Sequence, residues 1–119
     1  MRPLRKSTRN QPERELQNGW LTWFRAHGWY VIEMNASAVL SGLPDLFTTH
    51  TEHGFRWVEV KLPGMVGSKF TPAQNKRFPE IVNNGTPIWI LTEVTQNEYN
   101  KLFSQPAGNF MEYYLMKGF

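Results

Sequence analysis

Two β-prone runs, Leu46-Phe47-Thr48 and Phe55-Arg56-Trp57-Val58-Glu59-Val60, are joined only by His50 to Gly54, a link short enough to demand a tight hairpin. A hairpin has a register. Side chains alternate with a period of two, so a slip of one residue turns a strand's faces over. Folding about Glu52 sets Asp45 opposite Glu59 on one face, whereas folding about the bond after Glu52 sets Asp45 opposite Val60 and turns Glu59 away. The first register needs an odd-length loop, and Gly54 suits the left-handed position that such loops use. The sequence leaves both registers open. The choice matters because Asp45, delivered by the bend Ser41-Gly42-Leu43-Pro44, is the only aspartate of the chain. Lys61 follows Glu59 by two positions and so shares its strand face.

Paired, the two acids would need a cation. At roughly 5 Å their repulsion is on the order of 3 kcal/mol for an effective dielectric of about 20, and Lys61 offsets only part of it. A hard divalent cation does more. Magnesium commonly takes one or two carboxylates plus water and a substrate phosphate. It also lowers the pKa of its water and neutralises charge developing on phosphorus. Lys61 would then orient the nucleophile or stabilise the pentavalent centre. Taken alone, Glu59-Val60-Lys61 also describes an ordinary solvated strand face. The preceding Gly42-Leu43-Pro44-Asp45 and the following Thr71-Pro72-Ala73-Gln74 are what point to a site.

The rest of the chain forms one frame. With 119 residues, 40% of them hydrophobic, it is long enough for a single packed domain and no second one. Residues 1–11 read as a basic arm, with Arg2, Arg5, Lys6 and Arg9 and no acid, and residues 12–119 as the domain. No apolar run reaches the length of a membrane span, and the start lacks the apolar segment of a signal peptide. The absence of cysteine is compatible with the cytoplasm. A net charge of +3 suits a polyanionic partner.

A first helix is expected from Pro12, capped by Asn10 or Gln11, with Leu16, Trp20, Trp23, Phe24 and His27 facing the core and Gly28 as its stop. Trp29 to Ile32 reads as a strand, and Met34 to Ser41 as a loop. A glycine-rich loop runs from Lys61 to Lys69. Thr71, Pro72 and Gln74 open a second helix that should kink at Pro79 and stop at Gly85. Ile88 to Leu91 reads as a buried strand, and Thr95-Gln96-Asn97-Glu98 as a capping box for a short helix. Phe110 to Met116 reads equally as a last strand or a packed tail. His27 is expected partly buried on its helix, and His50 and His53 in a solvated turn, with no metal-ligand spacing among the three.

Taken in order, Gly42-Leu43-Pro44-Asp45, Glu59-Val60-Lys61, Thr71-Pro72-Ala73-Gln74 and Gly85 before a β-run resemble the virus-type replication-repair nuclease (VRR-NUC) domain of the PD-(D/E)XK superfamily, over about residues 12 to 95. The resemblance implies an α/β restriction-endonuclease-like core, a central mixed β-sheet flanked by helices. It implies an endodeoxyribonuclease dependent on Mg2+ or Mn2+ that hydrolyses phosphodiester bonds in the cytoplasm of a bacterium or a phage-infected host. Small stand-alone domains of this kind are homodimers acting on branched DNA such as Holliday junctions. A restriction-like or structure-indifferent nuclease, or a non-catalytic nucleic-acid-binding module, are the alternatives. By the same resemblance the metal ligands are Asp45, Glu59 and the Val60 carbonyl, and Lys61 is the catalytic lysine. The family's acid on the first helix falls on Glu13, with Glu15 as rival. Its helix glutamine falls on Gln74, although one side chain is not expected to serve both the site and the Thr71 cap. Lys69, Lys76 and Arg77, with the four cations of the arm, are the candidate DNA contacts.

Overall fold

Leu16, Trp20, Trp23 and Phe24 share one helical face, and they fold as helix α1, Gln11–Ala26. The computed structural model describes residues 11–34, 42–66 and 68–116, so the basic arm and nearly all of the loop after Met34 lie outside the described residues. The buried stripe of α1 also includes Leu21 and two polar side chains, Glu13 and Gln17. His27 departs from expectation. The helix ends at Ala26 and Gly28 turns the chain at φ +88°, so His27 leaves the core-facing stripe. It is exposed, its ring stacked on Trp23 at 4.7 Å.

The strands are β1 (Tyr30–Glu33), β2 (Leu46–His50), β3 (Gly54–Val60) and β4 (Ile88–Leu91). They form one mixed sheet in the order β1-β2-β3-β4, the first three antiparallel and β4 parallel to β3. Parallel neighbours need a crossover, which is supplied by a 3₁₀ turn at Pro63–Met65 and helix α2, Pro72–Asn83. Leu46 lies opposite Val58 and His50 opposite Gly54, which leaves Thr51, Glu52 and His53 as the loop. That is the register folded about Glu52, with Gly54 at φ +77° in the left-handed position.

The alternation of β3 divides two cores. Val58 and Val60 pack with Trp20, Phe24, Leu46 and Tyr99 under α1 and helix α3, Gln96–Ser104. Trp57 leans on the opposite layer, where Phe70, Phe78, Ile88, Ile90 and Phe110 lie under α2 and helix α4, Phe110–Leu115. The helix α2 continues unbroken through Pro79. Thr95 accepts from the Glu98 N–H at 3.1 Å, but the Glu98 carboxylate turns away to the Thr92 N–H, so only half of the expected capping box forms.

The C-terminal stretch is not a strand but a packed segment that is helical. Phe110, Tyr113 and Tyr114 pack on the second core at i, i+3 and i+4. Among the described residues no strand adds to β4, whose outer edge is already paired. The buried Asn109 amide donates to the Ile90 carbonyl at 3.0 Å and accepts from the Ile90 N–H at 2.6 Å, as a neighbouring strand would.

Candidate active site

Asp45 stands immediately before β2, and its position extends the ladder by one pair to face Glu59. The acids are tied by reciprocal bonds. The Asp45 N–H donates to Glu59 Oε1 at 3.0 Å, and the Val60 N–H donates to Asp45 Oδ2 at 2.9 Å. Glu59 is fully buried and Asp45 partly exposed, so access to the pair runs past Asp45. The Lys61 N–H bonds to Leu91 on β4, and because that peptide is trans, the Val60 carbonyl on its other side points the other way, toward the Asp45 side. Two carboxylates and a carbonyl are oxygen donors, the set that Mg2+ or Mn2+ takes.

Lys61 lies on the Glu59 face, as alternation requires, and is 2% exposed. Its Nζ donates to the Lys69 carbonyl and to Gln74 Oε1, each at 3.0 Å, stands 3.3 Å from Glu59 Oε2, and lies 5.0 Å from the Phe70 ring centroid. The ammonium has three protons, so these contacts fix its position fully.

Gln74 overturns the expectation that it must choose between cap and site. Its backbone N–H donates to Thr71 Oγ1 and its Oε1 accepts from the Thr71 N–H, each at 3.1 Å, completing the capping box. The same Oε1 accepts from Lys61, and Nε2 donates to Glu59 Oε2 at 2.9 Å. An amide oxygen has two lone pairs and the NH2 end is a separate donor, so one side chain serves both.

The structure separates the two acids of α1. Glu15 is exposed and, among the described residues, pairs only with Gln11, one turn away. Glu13 is 8% exposed and accepts a short hydrogen bond from Ser68 Oγ. Ser68 precedes Lys69, whose carbonyl holds Lys61, so a single peptide unit connects the Glu13 contact to the Lys61 contact. Ser68 carried no motif in the sequence, and nothing local marks it. Gln17, one turn along from Glu13, donates to Glu33 at 3.2 Å and ties α1 to the end of β1. Lys69, Lys76 and Arg77 are all exposed. Arg77 flanks the bend before Asp45, since a Cβ added to Gly42 would meet Arg77 Cγ at 2.8 Å.

One further grouping was not legible in the spacing of the histidines. His50, Glu52 and His53 bring one ligand atom each to within 4.8 Å of one another at the far end of the hairpin. A three-residue loop folds positions 50 and 53 toward each other, which a count along the chain does not reveal.

A solved structure described as a VRR_NUC domain superposes on 79% of this chain and 98% of its own, with a TM-score of 0.61 and 21% identity. No protein-family model matches the chain, and no curated protein matches it. The chain has the α/β fold of a VRR_NUC domain, a mixed four-stranded sheet between helices.

Proposed function

We propose that this chain is a DNA endonuclease that hydrolyses phosphodiester bonds with a bound Mg2+ or Mn2+. The observation that carries the reading is the cross-strand pair of partly exposed Asp45 and buried Glu59 with Lys61 on the same face, set in the fold of a VRR_NUC domain. A fully buried glutamate is costly unless something cationic shares its pocket. Asp45, Glu59 and the Val60 carbonyl would hold the cation. When bound, it supplies Lewis-acid stabilisation of charge on the phosphoryl oxygens and makes water a competent nucleophile at neutral pH.

The protein groups do the rest. Gln74 fixes the Glu59 carboxylate from one side while Asp45 N–H fixes it from the other. Lys61, clamped by Lys69 and Gln74, keeps a positive charge beside Glu59 that would offset, through space, charge developing on the phosphate without needing to reorganise. Glu13 completes the acidic set from α1. The exposed Lys69, Lys76 and Arg77, with Arg2, Arg5, Lys6 and Arg9 of the arm, engage the DNA backbone. Acting as a homodimer, two such sites would make paired cuts in branched DNA, Holliday junctions included, since one site cuts one strand. The work would take place in the cytoplasm, and no described helix is long and apolar enough to cross a membrane.

The test is cleavage of a four-way junction and its linear control in Mg2+, in Mn2+ and in chelator, with Glu59→Gln alongside. Expected are cation-dependent products with 5′-phosphate ends, faster on the junction, and none from the variant. Equal rates on both substrates would favour a structure-indifferent nuclease. DNA binding without products in either cation would favour a binding module.

A further inference from the structure

We propose that His50, Glu52 and His53 form a second metal site, specific for a borderline transition-metal cation such as Zn2+, which clamps the β2–β3 turn. The inference does not depend on the activity proposed above. Three ligand-bearing side chains converge within 4.8 Å, and among the described residues no group gives a hydrogen bond or ion pair to the Glu52 carboxylate or to a ring nitrogen of His53. The cluster is nevertheless held in place. Trp29 packs against both imidazoles, at 5.1 Å from His50 and 5.8 Å from His53, and Phe103 packs on His53 at 4.8 Å. The two imidazoles are 4.4 Å apart. Arg56 anchors the loop itself by donating to the carbonyls of His53 at 2.7 Å and Phe55 at 3.0 Å.

The chemistry selects the ion. Two imidazoles and one carboxylate, with water in the fourth place, make a tetrahedral set for Zn2+ and are poor ligands for Mg2+. Zinc–nitrogen bonds of about 2.0–2.1 Å require the donors to close in slightly, and the exposed Glu52 side chain in the middle of the loop can swing toward the two packed imidazoles. His50 would ligate through Nδ1. Its Nε2 faces Gly28, where an added Cβ would lie 3.1 Å away. The Nδ1 now accepts from the Glu52 N–H at 3.0 Å, a bond that the metal displaces.

The consequence concerns register. His50 ends β2 and His53 immediately precedes β3, so a shared cation staples the loop at the length that sets Asp45 opposite Glu59. The two sites stand about 20 Å apart, six residues of extended chain, too far to share a ligand.

The experiment uses the tag-free 119-residue chain, with millimolar Mg2+ present as a competitor at any hard-oxygen site, titrated with Co2+ and separately with Zn2+. Co2+ should develop the intense visible bands of a low-coordinate, imidazole-bearing site. Zn2+ at about 100 times its dissociation constant should raise Tm by about 10 °C. His53→Ala, an exposed position, should fold normally in chelator and lose at least the ~10- to 100-fold in affinity that even an outer-sphere partner costs. Glu52→Gln should weaken binding less. Titrations that superimpose for the wild type and His53→Ala would overturn the proposal, as would Co2+ bound without visible bands, because either means that the cation sits elsewhere.

Discussion

Gln74 shows how much a single amide can carry. It caps α2, steadies Lys61 and holds Glu59, so Gln74→Glu should harm both stability and turnover. The carboxylate still accepts from Thr71 and Lys61, but it repels Glu59 where the NH2 had donated. Single-turnover rates should fall by on the order of 10²-fold, the scale of losing one aligned electrostatic contact, and unchanged rates would show that the Gln74–Glu59 bond is incidental. Lys61→Met keeps the volume but strands a buried carboxylate, at a cost of about 3–5 kcal/mol. Added Mg2+ should recover part of that in thermal melts while cleavage stays low. A variant as stable as the wild type in chelator would contradict the buried pair as drawn. On α1, Glu13→Gln should reduce cleavage more than Glu15→Gln, because only Glu13 is buried against the segment that holds Lys61. The reverse ranking in the same assay would reassign the helix acid.

At the scale of elements, two glycines with the same backbone angle have different work. Gly54 and Gly108 both sit at φ +77°. A Cβ on Gly54 would meet nothing nearer than Arg56 Nη1 at 3.9 Å, so Gly54→Ala should cost only the left-handed penalty of about 1–2 kcal/mol. A Cβ on Gly108 would lie 2.5 Å from the Ile88 carbonyl oxygen and 2.9 Å from its nitrogen. Gly108→Ala must therefore push the chain off β4 and break the Asn109 bonds that close the sheet edge. Urea midpoints should rank wild type above Gly54→Ala above Gly108→Ala, and the opposite order of the two variants would refute this account of the edge. The helix α4 follows from the same contact. Its aromatic spacing suits a helix, but the sequence leaves a strand equally open, because what excludes a strand is the Asn109 side chain bonding a residue 19 positions away.

For the whole molecule, the distribution of cations would govern how the proposed DNA substrate is held. The arm carries Arg2, Arg5, Lys6 and Arg9 ahead of the helix that contains Glu13. If two to four of these charges neutralise phosphates, deleting residues 1–9 flattens the slope of log affinity against log salt by about 2 to 3. Cleavage at saturating enzyme should hold nearly constant, since no proposed catalytic group is lost. A salt titration in Ca2+ compares the two chains. Superimposable slopes would assign the electrostatic footprint to Lys69, Lys76 and Arg77 alone.

What the sequence determined by itself is local. The helical face of α1, the start of α2 at Thr71-Pro72, the buried run of β4 and the alternation that sets Glu59 and Lys61 on one side all follow from periods and caps readable over a few residues. Those same signals narrowed the hairpin to two registers. Choosing between them took the core. Leu46 and Val58 must meet under α1 on one face, and that leaves Asp45 and Glu59 together on the other. The double duty of Gln74, the contact of Glu13 with Ser68 and the gathering of His50, Glu52 and His53 were likewise decided only in three dimensions. Periodicity says which way a side chain points; what it meets there depends on groups brought together by folding from as many as 72 positions away.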